Sequence, residues 1–136
     1  MINNAVITGI DQTTICSITD EKGKITYVND KFCTVSGYSS AELIGMDHRI
    51  VNSGEHDSKF MGEMWNTIKS GNIWKGVVKN KKKNGGFYWV DTLILPISKI
   101  DKSIKGYVSL RFEVTTLFER NINLEKINIV NQLAQE

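Results

Sequence analysis

The hydrophobic pattern of the chain changes its period twice, and this restricts the folds that the sequence can adopt. Residues 14–28 are β-branched and alternating around a turn at residues 20–23, as in a hairpin of two strands. A helical spacing then relates Phe60, Met61, Met64, Trp65 and Ile68. The period returns to two at Trp74. Two strands, several short helices and three strands, without strand–helix alternation, predict an α+β fold.

Turn and capping residues divide this pattern into elements. Residues 39–42 form a capping box, and Asn29 or Asp30 is placed to begin the preceding helix, which Gly37 would end. Asn84 and Gly85 predict a tight hairpin between the third and fourth strands. We therefore expect a five-stranded antiparallel sheet with short helices inserted between strands two and three, enclosing a pocket.

Flanking helices are predicted at both ends of the chain. Three apolar residues at spacings of four predict an N-terminal helix within residues 1–12: Ile2, Val6 and Ile10. Thr115 or Thr116 is predicted to cap a terminal helix over residues 116–136. The sequence thus divides into two flanking helices and one domain over residues 13–115.

Composition excludes several classes of function. The 136 residues carry a net charge of only +2, which gives no reason to expect a nucleic-acid partner or contact with an anionic membrane. Cys16 and Cys33 lack CxxC spacing, so neither a structural metal site nor a disulfide framework is expected. The chain shows no signal peptide and no apolar run of about 20 residues. These features predict a cytoplasmic location.

Several motifs, in the same order, resemble those of the PAS family of sensory domains. They are residues 18–29, ending in Asn29, then Phe32, residues 36–38, residues 42–45, and the hairpin at residues 84–90. The resemblance spans roughly residues 13–115. It implies the α+β fold predicted above and a role in sensing a ligand and signalling.

Within that family the chain is similar to the modules of aerotaxis receptors and nitrogen-fixation regulators, which hold FAD. The stretches that carry this likeness are residues 48–51, 64–65 and 74–80. The resemblance implies that Trp74 and Asn80 face the isoalloxazine, with Asn29 on the adjoining strand edge. It also implies that His48 and Asn52 border the entrance of the pocket.

Two departures from related domains change what a flavin could do here. The basic-His-Pro-Asp element of aerotaxis receptors aligns with residues 52–55, Asn-Ser-Gly-Glu, so one wall of the pocket differs. Light-sensing relatives carry a cysteine in the short helix after Gly45, where this chain has His48 and Arg49. A flavin in this chain is therefore not expected to form a cysteinyl adduct.

Each candidate residue also has a simpler interpretation. Trp74 could be ordinary core on the inner face of the sheet, and Asn80 could meet water at the end of its strand. His48 and His56 could ligate haem iron, but His48 could also meet a phosphate or lie exposed, and His56 is interpreted as a solvated loop residue. No acid–base–nucleophile set, metal-ligand pattern or phosphate loop is present, so neither catalytic residues nor enzyme activity is expected.

The resemblance thus implies a redox or oxygen sensor that binds FAD non-covalently and signals through its terminal helix to an effector outside this chain. Two alternatives stay open. One is a ligand-free module that forms a homodimer through its flanking helices. The other is a sensor for haem or another small molecule.

Overall fold

The computed structural model describes residues 4–135, with backbone alone for residues 118, 119, 122 and 123. The elements are α1 (Asn4–Thr13), β1 (Ile15–Asp20), β2 (Ile25–Val28), α2 (Asp30–Ser36), α3 (Ser40–Leu43), a 3-10 helix (His48–Val51), α4 (Ser58–Lys69), β3 (Trp74–Lys81), β4 (Phe87–Ser98), β5 (Ile104–Glu113) and α5 (Thr115–Ala134). Their order is the one predicted. Ile2 of the predicted N-terminal stripe lies outside the described residues.

The five strands form one antiparallel sheet in the order β2-β1-β5-β4-β3. The predicted α+β architecture is confirmed, with the short helices inserted between β2 and β3. The first and last strands lie side by side at the centre of the sheet, and Ile15 of β1 faces Arg111 of β5. This pairing brings together residues that are far apart in the sequence.

Alternate residues of the strands point towards the helices and form the core. One group of buried residues joins the sheet to α2, α3 and the 3-10 helix: Ile15, Ile25, Val28, Phe32, Leu43, Val51, Tyr88 and Val90. A smaller group joins the sheet to α4: Ile68, Ile94 and Tyr107, which pack with Met64, Trp65 and Trp74. The inner face of the sheet is therefore covered in two separate places.

The predicted helix ends at α2 and α3 are confirmed. Asn29 Oδ1 accepts the amide of Phe32 at 3.1 Å, which caps α2, and Gly37 ends that helix with a φ of 81°. Ser39 and Glu42 exchange side-chain and backbone hydrogen bonds as a capping box. These local signals fix α2 and α3 above one half of the sheet.

The predicted cap of the terminal helix was wrong. Val114 occupies the cap position of α5 without a side-chain hydrogen bond, and Thr115 is already helical. The Thr115 hydroxyl oxygen instead accepts the amide of Trp89 in β4 at 2.8 Å, while Val114 N donates to Trp89 O at 2.9 Å. The start of α5 is thereby attached to the sheet rather than closed on itself.

α1 buries none of its side chains. Within residues 4–135, no helix combines the length and the hydropathy that a membrane crossing requires.

Candidate functional site

A cavity of about 100 Å³ lies between the inner face of the sheet and the helices. The strands contribute polar side chains to it, among them Lys79, Asn80, Thr92, Ser109 and Arg111. The helical side contributes His48, Asn52, His56, Met61, Met64, Trp65 and Ile68. The cavity therefore combines an apolar wall on α4 with a polar wall on the sheet, an arrangement typical of small-molecule sites.

Arg111 stands at the centre of the polar wall. It is 3% exposed, because it lies on the inner face of a central strand. Its Nη2 donates to Ser17 Oγ at 2.9 Å and lies 2.6 Å from His48 Nε2. Its guanidinium carbon lies 5.2 Å from the ring centroid of Phe32. Nη1 is the one buried side-chain nitrogen or oxygen without a hydrogen-bond partner among the described residues.

The contact with Arg111 fixes the protonation state of His48. A guanidinium only donates hydrogen bonds, so Nε2 of His48 must accept and the ring proton must sit on Nδ1. Desolvation of the ring, followed by the charge of Arg111, lowers the pKa of His48 from 6.5 to about 3. Desolvation also lowers the pKa of Arg111 to about 10. At neutral pH the pair carries one positive charge, on Arg111.

Asn80 and Asn52 meet at the edge of the cavity. Asn80 is buried on β3, as its place in the alternating strand predicted, and it lies directly across from the buried Tyr88 of β4. Asn52 pairs with Asn80 through the backbone and is exposed, with its side chain accepting the amide of Gly54 at 2.8 Å. Asn80 therefore faces the interior, and Asn52 lies at the rim.

His56 contacts β3, the edge strand of the sheet beside the cavity. Its Nε2 accepts the backbone amide of Lys79 at 2.9 Å, and its ring stacks on Phe60 with centroids 4.3 Å apart. His56 lies in the loop before α4 as interpreted, but it is not solvated, because it is only partly exposed and its ring covers an otherwise open amide of edge strand β3. Haem ligation through Nε2 of either histidine would have to break one of these hydrogen bonds.

Two other predicted site residues lie outside the lining of the cavity. Trp74 is on the inner face, but its ring folds over Gly76 of the same strand and meets Phe60 edge to face with centroids 5.6 Å apart. Both amide atoms of Asn29 bind backbone groups of Thr14, Cys16 and Phe32. Asn29 thus ties α2 to β1.

Ser17 and Arg111 were not identified from the sequence. One signal was present for Arg111: on β5 the period of two places it on the same face as Tyr107 and Ser109, which are buried. A charged residue in an inward position is unusual unless it has a partner. No residue pattern indicated that Ser17 and His48 would be its partners.

Within the part of the chain that the structure describes, no cluster of His, Cys, Asp and Glu side chains is arranged to hold a metal ion. Arg111 is the one buried charged side chain of the lining, which also contains the charged residues Asp47, Arg49 and Lys79, neutral hydrogen-bonding groups and apolar side chains. Such a set can hold an organic ligand with acceptor groups through hydrogen bonds and ring contacts.

The structure is thus a small α+β domain with a cavity between one sheet and a cover of helices. A family model described as PAS fold matches residues 4–111, and the chain belongs to the PAS family. The family resemblance found in the sequence is thereby confirmed.

Among curated proteins, the chain is 42% identical over 105 residues to the aerotaxis receptor of Escherichia coli (strain K12), an alignment that covers 77% of this chain and 21% of the receptor. It is 30% identical over 112 residues to the nitrogen fixation regulatory protein of Klebsiella pneumoniae, covering 82% of this chain and 23% of that protein. The chain therefore spans about a fifth of the length of these relatives.

Solved structures show the same fold at low sequence identity. An RNA-binding light-oxygen-voltage receptor matches 100% of this chain and 40% of its own, with a TM-score of 0.76 at 19% identity. The PAS domain of a protein from Colwellia psychrerythraea matches 82% of this chain and 96% of its own, with a TM-score of 0.73 at 19% identity.

Proposed function

We propose that this PAS domain is a redox or oxygen sensor that binds FAD non-covalently and signals to an effector outside the chain through α5. The observation that carries the proposal is the cavity, in which buried hydrogen-bonding groups of Asn80, His48 and Arg111 converge opposite an apolar helix. The 42% identity to a protein named aerotaxis receptor supports oxygen or redox state as the signal. Residues 13–115 would be the sensor, with residues 1–12 and 116–136 flanking it. The free thiols of Cys16 and Cys33 suit a cytoplasmic location.

The chemistry of the lining fits a flavin, whose ring offers both donor and acceptor groups. The unpartnered Nη1 of Arg111 requires an acceptor, and Asn80 can donate as well as accept. A pocket for a molecule of this size has a volume of about 300–1,000 Å³, so binding must enlarge the present space. Met61 and Met64 on α4 have unbranched, adaptable side chains, and they are the wall that would move.

The bound FAD would supply a ring that takes up electrons and a proton, which turns an acceptor position into a donor. Asn80 would rotate its amide to stay paired, and it lies directly across from Tyr88 of β4. The next residue of β4, Trp89, is bonded through both backbone groups to Val114 and Thr115 at the start of α5. A change at Asn80 thus has a short route to α5 through the neighbouring residues of β4. A differential interaction of a few kcal/mol suffices to shift such an equilibrium.

The first test is the visible absorption spectrum of the purified protein, repeated on the supernatant after heat denaturation and after addition of FAD to the apoprotein. Flavin bands that move into the supernatant would support the proposal. A protein that stays colourless with added FAD would refute it, and a Soret band would indicate haem. Trp74 packs on Phe60 outside the present lining, so Trp74→Ala tests whether the enlarged pocket reaches this ring: loss of flavin or of the redox response would support a role for Trp74, and a variant that keeps both removes it from the site.

A ligand-free dimerisation module is the second candidate, and two observations favour it. The cavity is small as it stands, and α1 exposes three apolar side chains, Val6, Ile7 and Ile10, by 40–50%. Removal of the residues before Asp11 would then convert a colourless dimer into a monomer in sedimentation experiments. A protein that is monomeric at its full length would exclude this candidate. Neither candidate includes enzyme activity.

A further inference from the structure

Arg111 is a buried cation that lacks a carboxylate partner. Both groups that meet its Nη2, Ser17 and His48, are neutral, and its Nη1 is left unpaired among the described residues. The face of Phe32 offsets a part of the cost of burial. Burial of a guanidinium without a counterion is expensive, so proteins rarely retain one without a use for its charge.

The acidic groups near the cavity are occupied elsewhere. Asp47 lines the cavity, but its carboxylate binds Arg49 through the backbone amide at 2.9 Å and through Nε at 3.1 Å. The other ion pairs among the described residues join Lys79 to Glu55 and Lys83 to Glu42. The interior of the cavity therefore carries a net positive charge that its own side chains leave unbalanced.

We propose that Arg111 recognises negative charge on the ligand, so that the cavity binds two-electron-reduced flavin more tightly than oxidised flavin. This inference rests on the proposed function and deepens it. Reduction takes two electrons from an external donor and one proton from solvent, which leaves one net negative charge on the ring. Arg111 keeps its own proton and supplies the counter-charge in a site of low dielectric, where a charge pair is worth more than in water.

The preference for reduced flavin can be measured as a shift of the midpoint potential, because binding and reduction are thermodynamically linked. Tighter binding of the reduced form raises the midpoint potential of the bound flavin by the same free energy. For a two-electron couple, a tenfold preference corresponds to about 30 mV. Loss of the Arg111 charge is expected to reduce the preference about tenfold and to lower the midpoint potential by about 30 mV.

The experiment measures dissociation constants of the apoprotein for FAD and for dithionite-reduced FAD, by anaerobic equilibrium dialysis, together with midpoint potentials. Four proteins are compared: wild type, Arg111→Gln, Arg111→Lys and Arg120→Gln. The last removes the same charge from an exposed position of α5 and serves as the matched control. We expect a preference for the reduced form in wild type and in Arg120→Gln, a smaller one in Arg111→Lys, and its loss in Arg111→Gln.

Equal affinities for the two forms in the wild type would overturn the inference even if Arg111→Gln did not fold. An unchanged ratio in Arg111→Gln would overturn it as well. In both cases flavin still binds, so the proposed function would stand. A wild-type apoprotein that binds neither form would overturn the proposed function together with the inference.

Discussion

Nη2 of Arg111 lies 2.6 Å from Nε2 of His48, so a strand residue and a residue of the 3-10 helix share one hydrogen bond inside the cavity. The bond joins the polar wall of the cavity to its helical cover. Because the imidazole accepts in this bond, a proton on Nε2 would break it and would place a second positive charge beside Arg111. The arrangement holds only while His48 is neutral.

Stability is expected to fall on mild acidification because of His48. The unfolded chain protonates this ring near its ordinary pKa of 6.5, whereas the folded protein resists protonation down to a pKa of about 3. Between these values the unfolded state binds more protons, so the free energy of unfolding decreases as the pH falls, by up to about 1.4 kcal/mol per pH unit. Urea unfolding at about pH 7 and about pH 5.5 measures this slope.

His48→Gln is the variant that isolates this effect, because it removes the titrating ring and keeps an amide. The slope between the two pH values should shrink in the variant. Carboxylates with lowered pKa values, such as Asp47 and Asp101, titrate below about pH 5.5 and therefore contribute little to the slope between the two pH values. An equal slope in both proteins would contradict the assignment.

The cap of α2 is expected to matter more for stability than an ordinary cap. Asn29 accepts the amides of Cys16 and Phe32 at 3.0 and 3.1 Å and donates to the carbonyl of Thr14 at 2.7 Å. Asn29→Ala leaves these backbone groups unpaired in a buried place, so we expect a loss of about 2–4 kcal/mol in urea unfolding. The control is Asp57→Ala, which removes the exposed cap of α4 and should cost about 1 kcal/mol. Similar losses in the two variants would show that the additional bonds contribute nothing.

Glycine at position 106 is required by the close approach of β5 to β1. A Cβ at Gly106 would collide with the backbone oxygen of Thr19, which cannot rotate away as a side chain can. Gly106→Ala should therefore destabilise the protein by about 3 kcal/mol or more. Gly62→Ala is the matched control, since a Cβ there meets nothing within 4 Å and alanine favours helix α4 by about 0.5–1 kcal/mol. Thermal unfolding of both variants tests the contrast, and a neutral Gly106→Ala would refute it.

The fold could be predicted from local patterns, because the hydrophobic period, the turn residues and the helix caps each depend on residues that are close together in the sequence. The inward orientation of Asn80 followed in the same way, from the alternation that begins at Trp74. The environment of Arg111 did not, since Ser17 meets it only when β1 and β5 pair, and His48 meets it only when the 3-10 helix packs over the sheet. The prediction of the α5 cap was wrong for a related reason, because the Thr115 hydroxyl hydrogen-bonds Trp89 of β4 instead of a backbone amide of its own helix.

Asn80 is expected to be the side chain that couples the ligand to the sheet. Asn80→Ala removes a buried amide that lines the cavity and can hydrogen-bond the ligand, and the loss of that hydrogen bond costs about 1–3 kcal/mol of binding free energy. We therefore expect FAD binding to weaken about 5- to 150-fold, or the redox-dependent change to disappear where binding survives. Asn66→Ala, on the exposed side of α4, removes the same group without touching the cavity and should bind like wild type. Fluorescence titration of the apoproteins with FAD measures affinity, and limited proteolysis of α5 under oxidising and reducing conditions reports the response. If Asn80→Ala matches Asn66→Ala in both measurements, the signal does not pass through Asn80, and the route from Tyr88 to Thr115 must be abandoned.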